Sequence, residues 1–237
     1  MVETVWVAQK PKARSSFSLI FFPMTILAVI FTLISGCNHQ YSSDGDIFVT
    51  GSQWVYVVTT LDSSKSIMKS DTITLTVEKG SFLVRQKKIS WSIKNKLPDG
   101  STEEIKEITG VVENKDRIWL HPPRFDYLKF TELTAFPEIK FPINQGKTWT
   151  STLHIGAGWG KWKGEKVSST YEIKGVNTKE MKTQNSDSCY LVSAVSKSKL
   201  GVYKTTYCFN LTTGFEYINY EHPDGTLTNI TLKKRVK

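Results

Sequence analysis

Thr72-Ile73-Thr74-Leu75-Thr76-Val77 alternates without a break. Successive side chains of a strand point to opposite faces, so Ile73, Leu75 and Val77 share one face and the threonines the other. A strand buried on one side has this pattern. The same period recurs outward from it. Residues 48–60 centre on Trp54-Val55-Tyr56-Val57-Val58, and residues 88–97 place Ile89, Trp91 and Ile93 on one face. Lys79-Gly80 is expected to turn the chain into a strand at Phe82-Leu83-Val84. Further strands are expected at 105–112, 118–120, 150–155, 166–176, 189–196, 201–210, 215–221 and 226–234. Residues 103–108 also fit a short helix. Turn chemistry separates the runs: Leu61-Asp62-Ser63-Ser64, Pro98-Asp99-Gly100, Asn114-Lys115-Asp116, Thr213-Gly214 and Pro223-Asp224-Gly225. Turns spaced by about ten residues fit an all-β domain, an antiparallel β-sandwich or partly open barrel.

Apart from 103–108, helical spacing after residue 40 is confined to Phe125, Leu128, Glu132, Leu133 and Phe136. The run is short and lacks a cap, so residues 125–136 are expected as a loop holding one turn of helix. Trp54, Trp91, Trp119 and Trp149 are expected to line the interior.

The compartment is written in residues 10–37. Lys10, Lys12 and Arg14 precede an apolar run over 17–34, and Ser35 and Gly36 precede Cys37. Charge, apolar helix and small residues in that order make a secretory signal, so an N-terminal signal or anchor helix precedes the β domain. Ile34-Ser35-Gly36-Cys37 resembles the lipobox of bacterial lipoproteins. The resemblance implies a diacylglycerol on the Cys37 thiol and cleavage just before it, making residues 1–36 a lipoprotein signal peptide. The competing reading is an uncleaved membrane helix, because eighteen mostly apolar residues nearly span a bilayer. Both readings put residues 38–237 outside the cytoplasm, since the basic flank stays inside. Asn38 and His39 are not the acidic pair that resembles an inner-membrane retention signal, which implies the outer membrane. Residues 37–46 are polar and read as a flexible tether.

The full chain of 237 residues carries 31 basic and 22 acidic side chains, a net charge of +9. Without residues 1–36 the balance is 28 against 21, or +7, over 201 residues. That length supports one core, a single β-rich domain over 47–237 with possible halves 47–136 and 137–237. Gly51-x-x-Trp54 and Gly146-x-x-Trp149 open the two halves alike, although the flanking residues do not align. The charges alternate along the chain. That suits an anionic lipid or glycan partner, and equally an ordinary lysine-rich polar face. No motif points to nucleic acid.

The second half resembles periplasmic β-barrel lipoproteins of the lipoprotein-carrier type. The likeness rests on Phe141-Pro142-Ile143-x-x-Gly146-x-x-Trp149, Cys189-Tyr190-Leu191-Val192 and Thr213-Gly214-Phe215. It implies a curved antiparallel sheet around an apolar interior and carries no catalytic residue across.

Three cysteines are present. With Cys37 acylated, Cys189 and Cys208 form an even pair suited to one disulfide outside the cytoplasm. A hairpin through Lys197-Ser198-Lys199-Leu200 that sets Cys189 opposite Cys208 also sets Tyr190 against Tyr207, Val192 against Thr205 and Ala194 against Tyr203. That register puts the apolar set on one face. The alternative is two separately buried thiols. Zinc would need two further ligands, and no second pair has ligand spacing, so neither metal nor cofactor is expected.

Catalytic motifs are scarce. His39, His121, His154 and His222 stand outside any nucleophile or metal motif. Gly156-Ala157-Gly158-Trp159-Gly160-Lys161 lacks the helix that a phosphate loop needs, and reads as a turn with aromatic neighbours. The Asn210 and Asn229 sequons read as accidental in a bacterial protein. The best local site candidate is His121-Pro122-Pro123-Arg124. Two prolines hold an imidazole and a guanidinium at a strand end, a corner that could contact a carboxylate or phosphate. The competing reading is a strand terminator whose Arg124 pairs with a nearby acid.

The expected function is that of an outer-membrane lipoprotein, held to the membrane through Cys37. Its periplasmic β domain would bind an apolar or amphiphilic, lipid-like ligand or an envelope protein. The alternatives are an enzyme acting on envelope glycan or lipid, with His121 and Arg124 near its site, and a structural subunit of an envelope assembly.

Overall fold

The computed structural model describes residues 46–96, 99–177 and 188–236. Residues 1–45, including the signal segment, Cys37 and nearly all of the tether, lie outside the described residues. The described chain forms strands β1 (Gln53–Leu61), β2 (Ile67–Ser81), β3 (Lys87–Lys96), β4 (Thr102–Glu113), β5 (Arg117–Leu120) and β6 (Glu138–Lys140). It continues through β7 (Thr148–His154), β8 (Lys166–Asn177), β9 (Cys189–Ser198), β10 (Gly201–Asn210), β11 (Gly214–Glu221) and β12 (Leu227–Val236). Residues 103–108 belong to β4 and not to a helix. All twelve strands lie in one antiparallel sheet, ordered β6-β5-β4-β3-β2-β1-β12-β11-β10-β9-β8-β7. The all-β expectation holds, and its form is one open sheet.

Alternation and register agree. Leu75 pairs with Trp54 on β1 and Trp91 on β3, and Ile73 pairs with Tyr56 and Ile93. All six side chains are buried. Cross-strand rows of aromatic and β-branched residues are what stabilise such a sheet. Gly51 and Gly146 play equivalent parts. Each has a positive φ, and their amides donate to Val77 O and Ile173 O, both at 2.8 Å.

The sheet has to curl. Its edges, β6 and β7, are joined by residues 141–147 alone. Twelve flat strands would hold those edges about 50 Å apart, and seven residues reach at most about 27 Å. Tyrosines from the far limb meet the β6 edge. The Glu138 amide donates to Tyr207 Oη at 3.1 Å, and that hydroxyl donates to Glu138 O. Tyr171 Oη donates to Phe136 O at 3.2 Å. The buried Glu138 carboxylate accepts from Trp149 Nε1 on β7 at 2.7 Å and from Arg117 on β5 at 2.9 Å.

The concave side is occupied by side chains, with Trp54, Trp91, Tyr56, Tyr171, Tyr207, Tyr220, Phe209 and Phe215 fully buried. Ile47 and Phe48 pack into the core at one end, their amides held by the Glu113 carboxylate at 2.7 and 3.1 Å. The helical turn expected in 125–136 is a 3-10 helix, Asp126–Leu133, which packs Leu128 into the core at the other end.

Three local expectations change. Phe82-Leu83-Val84 is a turn, closed by Phe82 N–H to Gln86 O at 3.1 Å. Gly80, at φ +93°, shifts the β2–β3 register as a bulge and does not reverse the strand. Trp119 is half-buried on the face of β5 opposite Ile118 and Leu120, against His121 and Phe136, so it does not line the concave side with the other three. Cys189 and Cys208 are bonded, with Cα atoms 5.6 Å apart, but they are diagonal neighbours. Cys208 faces Leu191, while Tyr207 faces Val192 and Thr205 faces Ala194. The hairpin turns through Lys199-Leu200 alone, a two-residue turn that suits strand twist. A two-residue shift keeps every side chain on its expected face, so Val192, Ala194, Thr205 and Tyr207 remain buried.

Candidate functional site

Two segments at one end of the sheet make a cleft of about 620 Å³. One is the start of the 3-10 helix after β5. The other is the β7–β8 loop, residues 155–165. That loop is internally bonded: Gly164 N–H donates to Ile155 O at 2.8 Å, and Trp162 N–H to Trp159 O at 3.1 Å. Gly158, Gly160 and Gly164 all have positive φ, which only glycine adopts at little cost. Residues 160–162 form one 3-10 turn, so the loop carries no helix that could cradle a phosphate. Trp159 and Trp162 stand three residues apart across that turn. Their rings lie nearly parallel, at 12° with centroids 6.2 Å apart, and rest on the Leu133–Ile155–Val167–Tyr203 cluster.

Both indoles line the cleft, with Arg124, Glu107, Asp126, Lys129 and Lys161. Asp126, Lys129 and Lys161 are exposed. Asp126 takes a left-handed backbone, φ +50°, at the cleft wall.

The structure brings His121 and Arg124 together, each beside a carboxylate of this chain. The Arg124 guanidinium donates to Glu107 Oε1 at 2.5 Å and to Glu132 Oε1 at 3.1 Å, and the Arg124 amide donates to Glu107 Oε2 at 3.1 Å. His121 Nε2 lies 3.3 Å from Glu132 Oε1, and its Nδ1 is 2.9 Å from Pro122 O. His121 and Glu132 are buried, and Arg124 alone of the pair lines the cleft. Burial lowers the Arg124 guanidinium, but Glu107 and Glu132 outweigh it and hold the group above its ordinary value. Burial pushes Glu132 up, but His121 and then Arg124 outweigh it and keep the carboxyl below its usual range. The arrangement is a partly buried ion chain, with Glu132 at its inner end, fastening the 3-10 helix to β4. Its outer end reaches the cleft, where Arg124 stands 5.5 Å from the Trp159 ring centre.

From the sequence, Trp159 and Lys161 read only as part of a turn with aromatic neighbours and not as a binding site, and Lys129 stands in no motif. The signal for a site was a Trp-x-x-Trp set among glycines, which fixes two rings on one side of a tight turn. Cys37 lies outside the described residues.

No family model and no curated protein matches the chain. Among solved structures it is similar to a candidate exported protein with a YmcC-like fold from Bacteroides fragilis. Identity is 10% and the TM-score 0.38, over 80% of this chain and 97% of that one. It is also similar to a candidate lipoprotein from Parabacteroides distasonis, at 9% identity and a TM-score of 0.33, over 80% of this chain and 96% of that one.

Proposed function

We propose that this chain is a lipid-anchored protein of the cell envelope, held at the outer membrane, whose β domain binds an anionic amphiphile in the Trp159–Trp162 cleft. The lipobox-like Ile34-Ser35-Gly36-Cys37 supports the anchor. The observation that carries the binding reading is the pair of near-parallel indoles beside exposed ammonium groups in a cleft of about 620 Å³. Indole faces take up acyl chain or ring C–H surface. The ammonium groups of Lys129 and Lys161, on flexible stems, meet an acidic headgroup. Glu107 engages Arg124 through both oxygens, so this carboxylate is a structural pin and not a free acid or base.

The test is a titration of the chain with lysophosphatidylglycerol and lysophosphatidylcholine below their micelle concentrations, read by tryptophan fluorescence. We expect tighter binding of the anionic lipid. Trp159→Ala with Trp162→Ala should weaken it by about tenfold or more, and Lys129→Glu with Lys161→Glu should abolish the headgroup preference. Equal affinity in the double-tryptophan variant and the parent would place the ligand elsewhere.

A further inference from the structure

The cleft lies at one end of the sheet, and the opposite end has its own chemistry. Antiparallel strands alternate direction, so the starts of β1, β3 and β9 and the ends of β4, β10 and β12 share the end away from the cleft. The chain enters the domain there. Asp46 is fixed by Lys87 Nζ at 2.6 Å, and the same ammonium donates to Phe48 O at 3.0 Å and Glu113 Oε2 at 2.8 Å. Arg235 donates to Ile47 O at 2.7 Å. Eight residues, 38–45, separate Asp46 from Cys37, a reach of about 30 Å at most. A membrane anchor before Asp46 therefore holds this end near the bilayer.

The β2–β3 turn projects beside that entry point. It is a closed turn, with Gln86 N–H donating to Leu83 O at 3.0 Å and Arg85 in the left-handed region at φ +66°. Its tip is apolar and unburied: Val84 is 89% exposed and Leu83 58%, with Val49 nearby in sequence to the pinned residues at 49%. A stable hairpin does not need two bare aliphatic side chains at its tip. Lys79 and Arg85 flank them in sequence and are exposed, Lys88 is half-buried and acts on the Glu78 carboxylate that Lys106 also pairs, and Asp46 and Glu113 are both taken up by Lys87. Apolar tip and basic collar together match the interfacial layer of an anionic bilayer.

We infer that this end of the domain is a second membrane contact, in which Leu83 and Val84 enter the interfacial layer and Lys79 and Arg85 meet lipid phosphates. The contact fixes the domain's orientation and turns the Trp159–Trp162 cleft away from the membrane that anchors it. It rests on the proposed function only for the position of the tether, and an uncleaved apolar segment would tether at the same place.

The experiment uses the full chain reconstituted in vesicles of phosphatidylcholine alone or with phosphatidylglycerol as the minor lipid. Val84→Cys carries an environment-sensitive nitrobenzoxadiazole label. Val202→Cys, exposed near the start of β10 at the other end, carries it as the control, and the unsubstituted chain corrects for any labelling at Cys37. We expect the label at residue 84 to shift to shorter wavelength and to be quenched by nitroxide lipid, more strongly with phosphatidylglycerol present. The label at 202 should do neither. Lys79→Glu with Arg85→Glu should remove the gain from phosphatidylglycerol. Identical emission at 84 with and without vesicles, or equal quenching at 84 and 202, overturns the inference. Palmitate labelling of the expressing cells, with Cys37→Ser as control, reports on the anchor separately. Loss of the lipid anchor and loss of the tip contact are thus distinct results.

Discussion

Glu132 is where the buried charge converges: it is 4% exposed and faces both His121 and Arg124. A buried carboxylate is tolerable only because those partners offset its desolvation. Its folded pKa lies below the unfolded one, so the stabilisation is present above the ordinary carboxylate value. It is lost as pH falls through the depressed folded value. Glu132→Gln keeps the volume and removes the charge. We expect it to cost about 3 kcal/mol at neutral pH, measured by urea unfolding, with parent and variant converging in acid. Stability curves that stay parallel across the acid range would mean that Glu132 does not carry the linkage.

At the scale of elements, the β9–β10 hairpin shows what one covalent bond adds to a register. The sheet already places Val192, Ala194, Thr205 and Tyr207 inward. The cysteines lie on the other face, packed with Tyr217 and Leu191. The disulfide closes a separation of 19 residues, which by the loop-entropy account stabilises by about 3 kcal/mol. Cys189→Ala with Cys208→Ala should lower the urea midpoint accordingly while leaving the far-ultraviolet strand signal intact. Reductant should lower the parent's midpoint and leave the variant's unchanged. Two titratable thiols from this pair in unfolded, unreduced protein would contradict the bond.

For the whole molecule, the decisive feature is how the two sheet edges are brought together. Tyr207 stands in for a missing strand neighbour, both accepting from and donating to the Glu138 backbone. Tyr207→Phe leaves a buried N–H and a buried carbonyl without that partner. At about 1–3 kcal/mol for each such group, we expect a loss of roughly 2–6 kcal/mol. Hydrogen exchange should rise first at β6, where the phenol is lost, and least at the β1–β12 pairing in the middle of the sheet. Equal acceleration across all strands would show that the edge opens only with global unfolding.

Alternation by itself determined that this is a β protein. Thr72 to Val77 cannot bury one face in any other regular conformation, and the same period located most strands and their inward sets. The order of charge, apolar run and Cys37 by itself determined the expected compartment, because translocation reads the chain locally. The β9–β10 register was legible only in its parity. Side-chain period fixes the face, whereas the choice between a four-residue and a two-residue turn depends on twist across neighbouring strands. Curling was decided by tertiary structure, since the Tyr207–Glu138 and Trp149–Glu138 contacts join strands whose pairing no local pattern encodes. The cleft was decided there too. Arg124 meets Trp159 only because the 3-10 helix and the β7–β8 loop lie at the same end of a curled sheet. Of the two readings of His121-Pro122-Pro123-Arg124, the folded chain supplies the nearby acid: Arg124 pairs with Glu107 and Glu132, and His121 lies beside Glu132. Those partners arrive from β4 and from the helix, and a charge's partner is settled by distance in space and not along the chain.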